Sequence, residues 1–417
     1  MTQLNLFGDR SLASVTWTGE RAAAVDRLKT FLPRAGRDYA ARRNYDLGRA
    51  DRSNVSCLSP WIRHRLLLEE DVLRATLDRH APSSADKFVQ EVFWRAYFKG
   101  WLQHRPSVWF SYRAEIDRLI ETLERSPEMN ALYKTAVQGT TGIDCFDAWA
   151  KELVETGYLH NHTRMWFASI WIFTLRLPWQ LGADFFYRNL LDGDPASNTL
   201  SWRWVGGLHT KGKTYLARKS NIEKYTEGRF SPIGLAGSAP ALVEDEHHAL
   251  QPKPSGMPLV SAKPFALILT EEDCNAESLP LPGKPKGICS LGATAARSSL
   301  EVGAQAQKFT AEAMADGLDR ARDHFQCDGQ QIETKDWGPF LVDWAQELGV
   351  DTILTAQAPI GPTREHIDGA RTALKSAGIT LAEIGRPYDE ACWTYATKGF
   401  FGLKAKIPHL VEKLDLG

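Results

Sequence analysis

The sequence has almost no charge imbalance, no paired cysteines and no apolar run long enough to span a bilayer. Its 417 residues carry a formal net charge of −1, so any nucleic-acid site must be a local basic patch on a neutral protein. The cysteines stand far apart at 57, 145, 274, 289, 327 and 392, with no C-x-x-C pair. That spacing argues against a structural zinc or iron–sulfur site and fits a reducing compartment. Met1-Thr2-Gln3-Leu4 opens neither a basic nor an apolar leader segment. The most apolar window, residues 165–177, is interrupted by Arg176 and is too short to cross a membrane. The expectation is a soluble, cytoplasmic protein with no membrane partner.

What is present is a chain able to bury a full core, with 43% hydrophobic and 24% charged residues. At roughly 100–200 residues per domain its length predicts two or three domains. Fourteen tryptophans are many for this length, and most precede residue 205. Residues 1–16 read as a tail. Residues 17–230 read as helical, with apolar positions three and four apart. Residues 231–264 carry six prolines and an acidic patch at Glu244-Asp245-Glu246, and read as a linker. Residues 265–417 alternate strands (265–270, 287–291, 351–355, 379–384) with helices (306–325, 337–348, 363–376). This alternation predicts a parallel, Rossmann-like α/β sheet covered on both faces. No G-x-G-x-x-G follows its first strand, which argues against ordinary dinucleotide binding there. The fold class is therefore multi-domain, α followed by α/β.

Residues 139–204 are dense in polar, charged and aromatic side chains at positions that should be buried. A helix over 160–175 is apolar nearly all round, yet holds Asn161 and Arg164 on one face. A buried arginine needs a carboxylate, and Asp192 and Asp194 are the candidates. His160 and His162 form an H-x-H without a third ligand nearby, which argues against metal. Earlier, Glu91, Trp94 and Arg95 share a helix face with Phe88 and Phe93 close by. Val55-Ser56-Cys57-Leu58-Ser59-Pro60 is a hydroxyl-rich turn entering a helix, suited to gripping an anion or to plain capping by Ser59. After Trp204 the chain turns basic, with Lys211, Lys213, Arg218 and Lys219 among tyrosines. This is either a solvated face or a phosphate-backbone footprint.

Taken together, these motifs resemble the helical flavin-binding domain of the DNA photolyase/cryptochrome family. The resemblance rests on Trp17 to Glu20, Tyr39, the 55–60 turn, Phe88 to Arg95, Thr141-Gly142 with Asp147-Ala148, and His160-Asn161 with Arg164-Met165. It is completed by Asp192-Gly193-Asp194 with Asn198, and by Trp202 and Trp204. The order is unusual, since the family normally carries its α/β domain first. Residues 393–401 resemble the family's exit from that domain, and the chain reads as domain-permuted. Val55, Cys57, Phe88 and His162 depart from the family pattern.

The resemblance implies FAD in a folded conformation, held by Tyr39, Ser56, Cys57, Leu58, Ser59, Phe88, Arg95, Asn161, Arg164, Asp192, Asp194 and Asn198. It implies light-driven splitting of a cyclobutane pyrimidine dimer in UV-damaged DNA. Trp94 and Trp204 would stack on the lesion, Glu91 would hydrogen-bond it, and Asn198 would face the flavin N5. Trp179 and Trp202 match an electron-transfer chain whose third member is open among Trp109, Tyr112, Tyr133, Trp166 and Trp171. Lys211, Lys213, Arg218 and Lys219 would meet the DNA backbone. A cryptochrome-like photoreceptor without repair activity is the alternative. A (6-4) photoproduct would call for a histidine acid, for which only His160 and His162 lie nearby in sequence. A second, antenna chromophore is compatible with the α/β domain, though no motif identifies it, and a monomer is favoured.

Overall fold

The computed structural model describes residues 15–253 and 263–417; parts of the expected tail and linker lie outside them. The first helices are short and punctuated: α1 (Arg21–Phe31), α2 (Arg37–Arg42), α3 (Ser59–Arg63) and α4 (Glu69–Arg79). Pro33 stops α1 in a 3-10 turn, and Pro60 opens α3 from its first turn. The long helix α5 (Pro82–Gln103) likewise begins on a proline. It buries Phe88, Val89, Val92, Phe93, Ala96 and Tyr97, a stripe at three- and four-residue spacing.

A second helical group follows: α6 (Ser107–Arg125), α7 (Pro127–Gln138), α8 (Asp144–Thr156), α9 (Asn161–Ser169), α10 (Trp179–Asn189), α11 (Pro195–Val205) and α12 (Lys219–Tyr225). Gly139 and Gly157, both at positive φ, close α7 and α8 in the left-handed conformation. The helix expected over 160–175 is not uniform. After Ser169 it widens into a π-helical turn, Ile170–Thr174, and this turn carries Trp171 edge-on to Trp202, with ring centroids 6.1 Å apart.

The α/β part holds β1 (Ala266–Thr270), β2 (Ile288–Leu291), α13 (Ala304–Phe325), β3 (Gly329–Ile332), α14 (Trp337–Glu347), β4 (Thr352–Ala356), α15 (Pro362–Ser376) and β5 (Thr380–Ile384). All pairings are parallel in the order β3-β2-β1-β4-β5, with Leu267 opposite both Ile288 and Leu354. β1 is buried throughout, which explains its continuous apolar run. The edge strand β3 is half exposed and carries Gln330 and Gln331, so it has none of the apolar signal that revealed the others.

One sheet face packs under α14 and α15 through Ile268, Leu341 and Ile367. The other face shares a single core with the first helices, joining Phe31, Trp61, Leu66 and Phe93 to Leu267, Leu269, Tyr388 and Trp393. The chain ends in α16 (Pro387–Trp393), α17 (Phe400–Lys404) and α18 (Ile407–Lys413), and this segment lies on α5. Residues 231–253 run docked along the helices. The amide of Leu242 donates to the Gly206 carbonyl (2.9 Å), Arg203 pairs with Glu244, and the amide of Gln251 donates to the His104 carbonyl (2.7 Å). Among the described residues no helix is long and apolar enough to cross a membrane.

At the carboxyl ends of β1 and β4, where open α/β sheets usually bind ligands, the crevice is filled by the protein itself. Glu271, Glu272 and Asp273 are buried there and paired with Arg297, Arg63, Arg65 and Arg386. Two of those arginines come from α3 and the residue pair after it, so the helical part plugs the sheet's switch point with charge. Unpairing one such group would cost roughly 3–5 kcal/mol.

Candidate functional site

The hydroxyl-rich turn is shaped from behind. Arg27 of α1 donates to three of its carbonyls, those of Arg52 (3.0 Å), Val55 (2.8 Å) and Ser56 (2.7 Å). With the carbonyls drawn to one side, Cys57 takes a left-handed φ of 56°. Tyr158 packs against Val55 and Cys57 in a small separate cluster. The Tyr158 ring lies between the guanidiniums of Arg52 and Arg164, each 5.3 Å from its centroid. Ser56 and Ser59 are half-buried, while Cys57 and Leu58 are buried. Nothing in the spacing of α1 announced Arg27.

Arg164 finds its carboxylate in Asp192, at 3.0 and 2.9 Å through two nitrogens, and the Ser59 hydroxyl donates to the same group. That contact ties the turn to the 192–198 loop across 133 residues of sequence. The Ser59 proton is thereby committed to Asp192, while the Val55 amide donates to the Arg52 carbonyl (3.3 Å) and the Leu58 amide to the Ser56 hydroxyl oxygen (3.5 Å). Asp194 has a different partner set. It caps α11 by accepting from the Ser197 amide (2.8 Å), and it faces Lys99 (3.3 Å) and Arg95 (3.7 Å). Burial pushes its carboxyl up, but Lys99, Arg95 and Arg63 outweigh burial and hold it well below the usual carboxylate range. Its Oδ2 is buried without a hydrogen bond. Asn198, one turn later, donates through Nδ2 to the Ala183 carbonyl (2.8 Å), which leaves its Oδ1 as an acceptor. Asn161 is exposed and Met165 half-buried on the neighbouring helix.

A second group gathers along α5. Glu91 pairs with Arg43, and burial raises its carboxyl above the usual range against the pull of that arginine. Tyr39 lies edge-on to Phe88, at 5.1 Å, and burial likewise raises its phenol. Phe88 itself is sunk in the core beside Phe31. Trp94 is half-buried, and one ring face is stacked on Phe400 of α17, with centroids 3.7 Å apart and planes 13° apart.

The aromatic residues fall into two strings. Trp202 meets Trp171, which meets Tyr133 at 6.2 Å. Trp179 instead stacks on Tyr112 at 5.7 Å, and Tyr112 meets Trp109 at 5.5 Å. Trp166 stacks on His162 and on Trp149, away from both strings. Trp204 is half-buried beside Tyr215. Lys211, Lys213, Arg218 and Lys219 are exposed, and among the described residues only Lys219 has an acidic partner, Glu223 at 3.7 Å.

The histidine expectation needs correction. His209, remote from Trp94 in sequence, is brought beside that face of α5, hydrogen-bonded to the Tyr97 hydroxyl at 3.1 Å and 4.7 Å from the Trp101 ring. Burial, with Arg203 and Arg105 adding to it, pushes its pKa down to about 4. It is therefore neutral near pH 7 and a poor acid. His160 is also held neutral by burial, against Asp46. Thr141 and Gly142 prove structural, their amides donating to Asp147 at 2.8 and 2.9 Å to start α8.

Residues 88–230 match the family described as the FAD binding domain of DNA photolyase. The deoxyribodipyrimidine photo-lyase of a Synechococcus species is 32% identical over 192 residues, covering 44% of this chain and 37% of that one. That of Thermus thermophilus is 34% identical over 197 residues, covering 47% and 44%. A crystal structure of a bacterial class III photolyase from Agrobacterium tumefaciens aligns with a TM-score of 0.43 at 27% identity, over 54% of this chain and 46% of that one. The chain spans less than half the length of the curated relatives it matches.

Proposed function

We propose, on the premise that this chain belongs to the photolyase/cryptochrome family through its helical part, that it binds FAD and uses it to split pyrimidine dimers in light. The observation that carries the reading is the Ser59–Asp192–Arg164 contact, which joins the anion-gripping turn to the 192–198 loop. The residues present fit the cofactor. The turn presents the half-buried Ser56 hydroxyl, the buried Asp194 Oδ2 has ionic partners but no hydrogen bond, and Asn198 presents an acceptor oxygen.

Bound FAD would supply a light-excited electron donor. The chain's own groups do the rest. Ser56, the N–H groups of the turn and Arg95 would hold the diphosphate. Asp194 would accept from the ring edge, and Asn198 would accept from N5 while offering no proton to relay. Glu91, whose carboxyl burial raises against the pull of Arg43, would in its protonated form donate a hydrogen bond to a pyrimidine carbonyl where negative charge develops. Trp94, backed by Phe400, and Trp204 would take the flipped-out bases, which damaged sites surrender most cheaply. Trp202 with Trp171 and Tyr133 would form one buried relay for electrons, and Trp179 with Tyr112 and Trp109 another. Lys211, Lys213, Arg218 and Lys219 would lie on phosphates. The helical part followed by the α/β part would be a permuted order of the family's domains. A second chromophore would have to dock away from the charge-filled crevice at β1 and β4.

One observation favours the light-sensing alternative, namely that Phe400 already covers one face of Trp94. A single assay separates the readings. Purified protein should carry flavin absorbance, and Asp192→Ala should lose it. Blue light with reductant should restore intact thymines in a dimer-bearing oligonucleotide. Flavin-loaded wild type that repairs nothing would transfer the protein to the sensing class.

A further inference from the structure

We infer that residues 398–406 form a DNA-contact surface of their own, with Phe401 a wedge that enters the base stack where a nucleotide has flipped out. Lys398, Lys404 and Lys406 would hold the flanking phosphates. The inference rests on the repair reading for its ligand and adds a region outside the family match, which ends at residue 230.

The segment is firmly placed. Gly100 of α5 has no room for a Cβ, which would stand 2.7 Å from Trp393 Cδ1 and 2.8 Å from Ala396 Cβ. His104 Nε2 bonds the Trp393 carbonyl (3.0 Å), and Arg105 donates to the Thr397 carbonyl (2.8 Å). Phe400 is then 4% exposed on the Trp94 ring. Its neighbour Phe401 is 80% exposed.

A lone exposed phenylalanine is ordinary, so the surroundings must decide. Between residues 394 and 406 there are three lysines and no Asp or Glu. Lys398 and Lys406 are exposed, Lys404 is half-buried, and the Lys406 ammonium lies over the Tyr395 ring in a cation–π arrangement at 5.8 Å. Gly399 and Gly402 flank the two phenylalanines and have open space where a Cβ would stand, so Phe401 projects above a low, cationic surround. That chemistry suits an anionic polymer with apolar faces between its charges. It suits DNA with an extruded base best, because the gap left in the stack can be filled by an aromatic ring adjacent to the pocket that receives the base. Trp94, proposed above to receive the base, is stacked on Phe400, the residue before Phe401.

The test uses the flavin-loaded full chain and one dimer-bearing oligonucleotide, presented as a duplex and as a single strand over a salt series. Phe401→Ala should weaken duplex binding about tenfold, leave single-strand binding within twofold, and change neither flavin content nor Tm. Phe401→Trp should restore duplex binding. The Lys398→Ala, Lys404→Ala, Lys406→Ala triple variant should flatten the slope of log affinity against log salt by about 2 to 3. Duplex binding unchanged in Phe401→Ala, or equal losses on both substrates, would overturn the inference while leaving repair standing. Wild type that fails to prefer dimer-bearing over undamaged duplex would overturn the repair reading, and this inference with it.

Discussion

Arg63 and Glu272, 209 residues apart, form a fully buried two-point pair at 2.8 and 2.6 Å, and the same guanidinium donates through Nε to the Gly193 carbonyl at 2.8 Å. Gly193 is the residue between Asp192 and Asp194. Glu272 of the α/β part is therefore tied to the proposed flavin loop through Arg63, and Lys99 bridges the same two regions by facing both Asp194 and Glu272.

Glu272→Ala should cost about 3–5 kcal/mol, because it removes the two-point partner of the buried Arg63 and one of the two carboxylates facing Lys99. Thermal unfolding checks the stability, and flavin retention checks the loop. A combined Arg63→Met, Glu272→Leu variant should recover much of the stability, since both charges leave together, but not the hold on Gly193.

Glu91 gives the proposed repair reaction a pH limit. Burial keeps its carboxyl protonated above the ordinary carboxylate range, so the hydrogen-bond donor is present at low pH and is lost as pH rises through the raised pKa. Repair yield per absorbed photon should fall on that upper limb. Glu91→Gln, a donor at every pH, should flatten it while keeping much more activity than Glu91→Ala, which removes the donor altogether.

Stability should fall on the acid side. His64, His160 and His209 are all held neutral in the fold, chiefly by burial. In the unfolded chain each protonates around pH 6.5. Below that point the unfolded state binds more protons, so stability declines as pH drops. Each such histidine should cost about 1 to 2 kcal/mol between pH 7 and pH 5, read as a falling denaturation midpoint. His209→Gln should weaken the dependence.

Gly100→Ala is a test of the docking of the chain's end. The new methyl meets Trp393 and Ala396, and overpacking of this kind costs about 1–3 kcal/mol. The expected result is earlier proteolytic cleavage within residues 393–417 and increased solvent exposure of Trp94, followed by fluorescence quenching.

Much of this was legible without coordinates. The period of 3.6 in the first half and the short apolar runs alternating with helices in the second fix the fold class. The carboxylate expected for Arg164 is Asp192, although the Arg164 side chain is half-buried rather than buried. The polar edge strand β3 escaped notice because an edge lacks the apolar signal of a buried strand. Arg27, Lys99 and His209 escaped because a helix surface does not reveal which distant loop will cover it.

The sequence by itself determined the residue types of the site and their order, since ordered motifs and local periodicity are properties of neighbours along the chain. Only the tertiary structure decided which carboxylate each cation meets, that the sheet's crevice is filled with charge, and that Phe400 lies on Trp94. Those facts depend on contacts between residues separated by tens to hundreds of positions, and their energies depend on burial that removes the water between them.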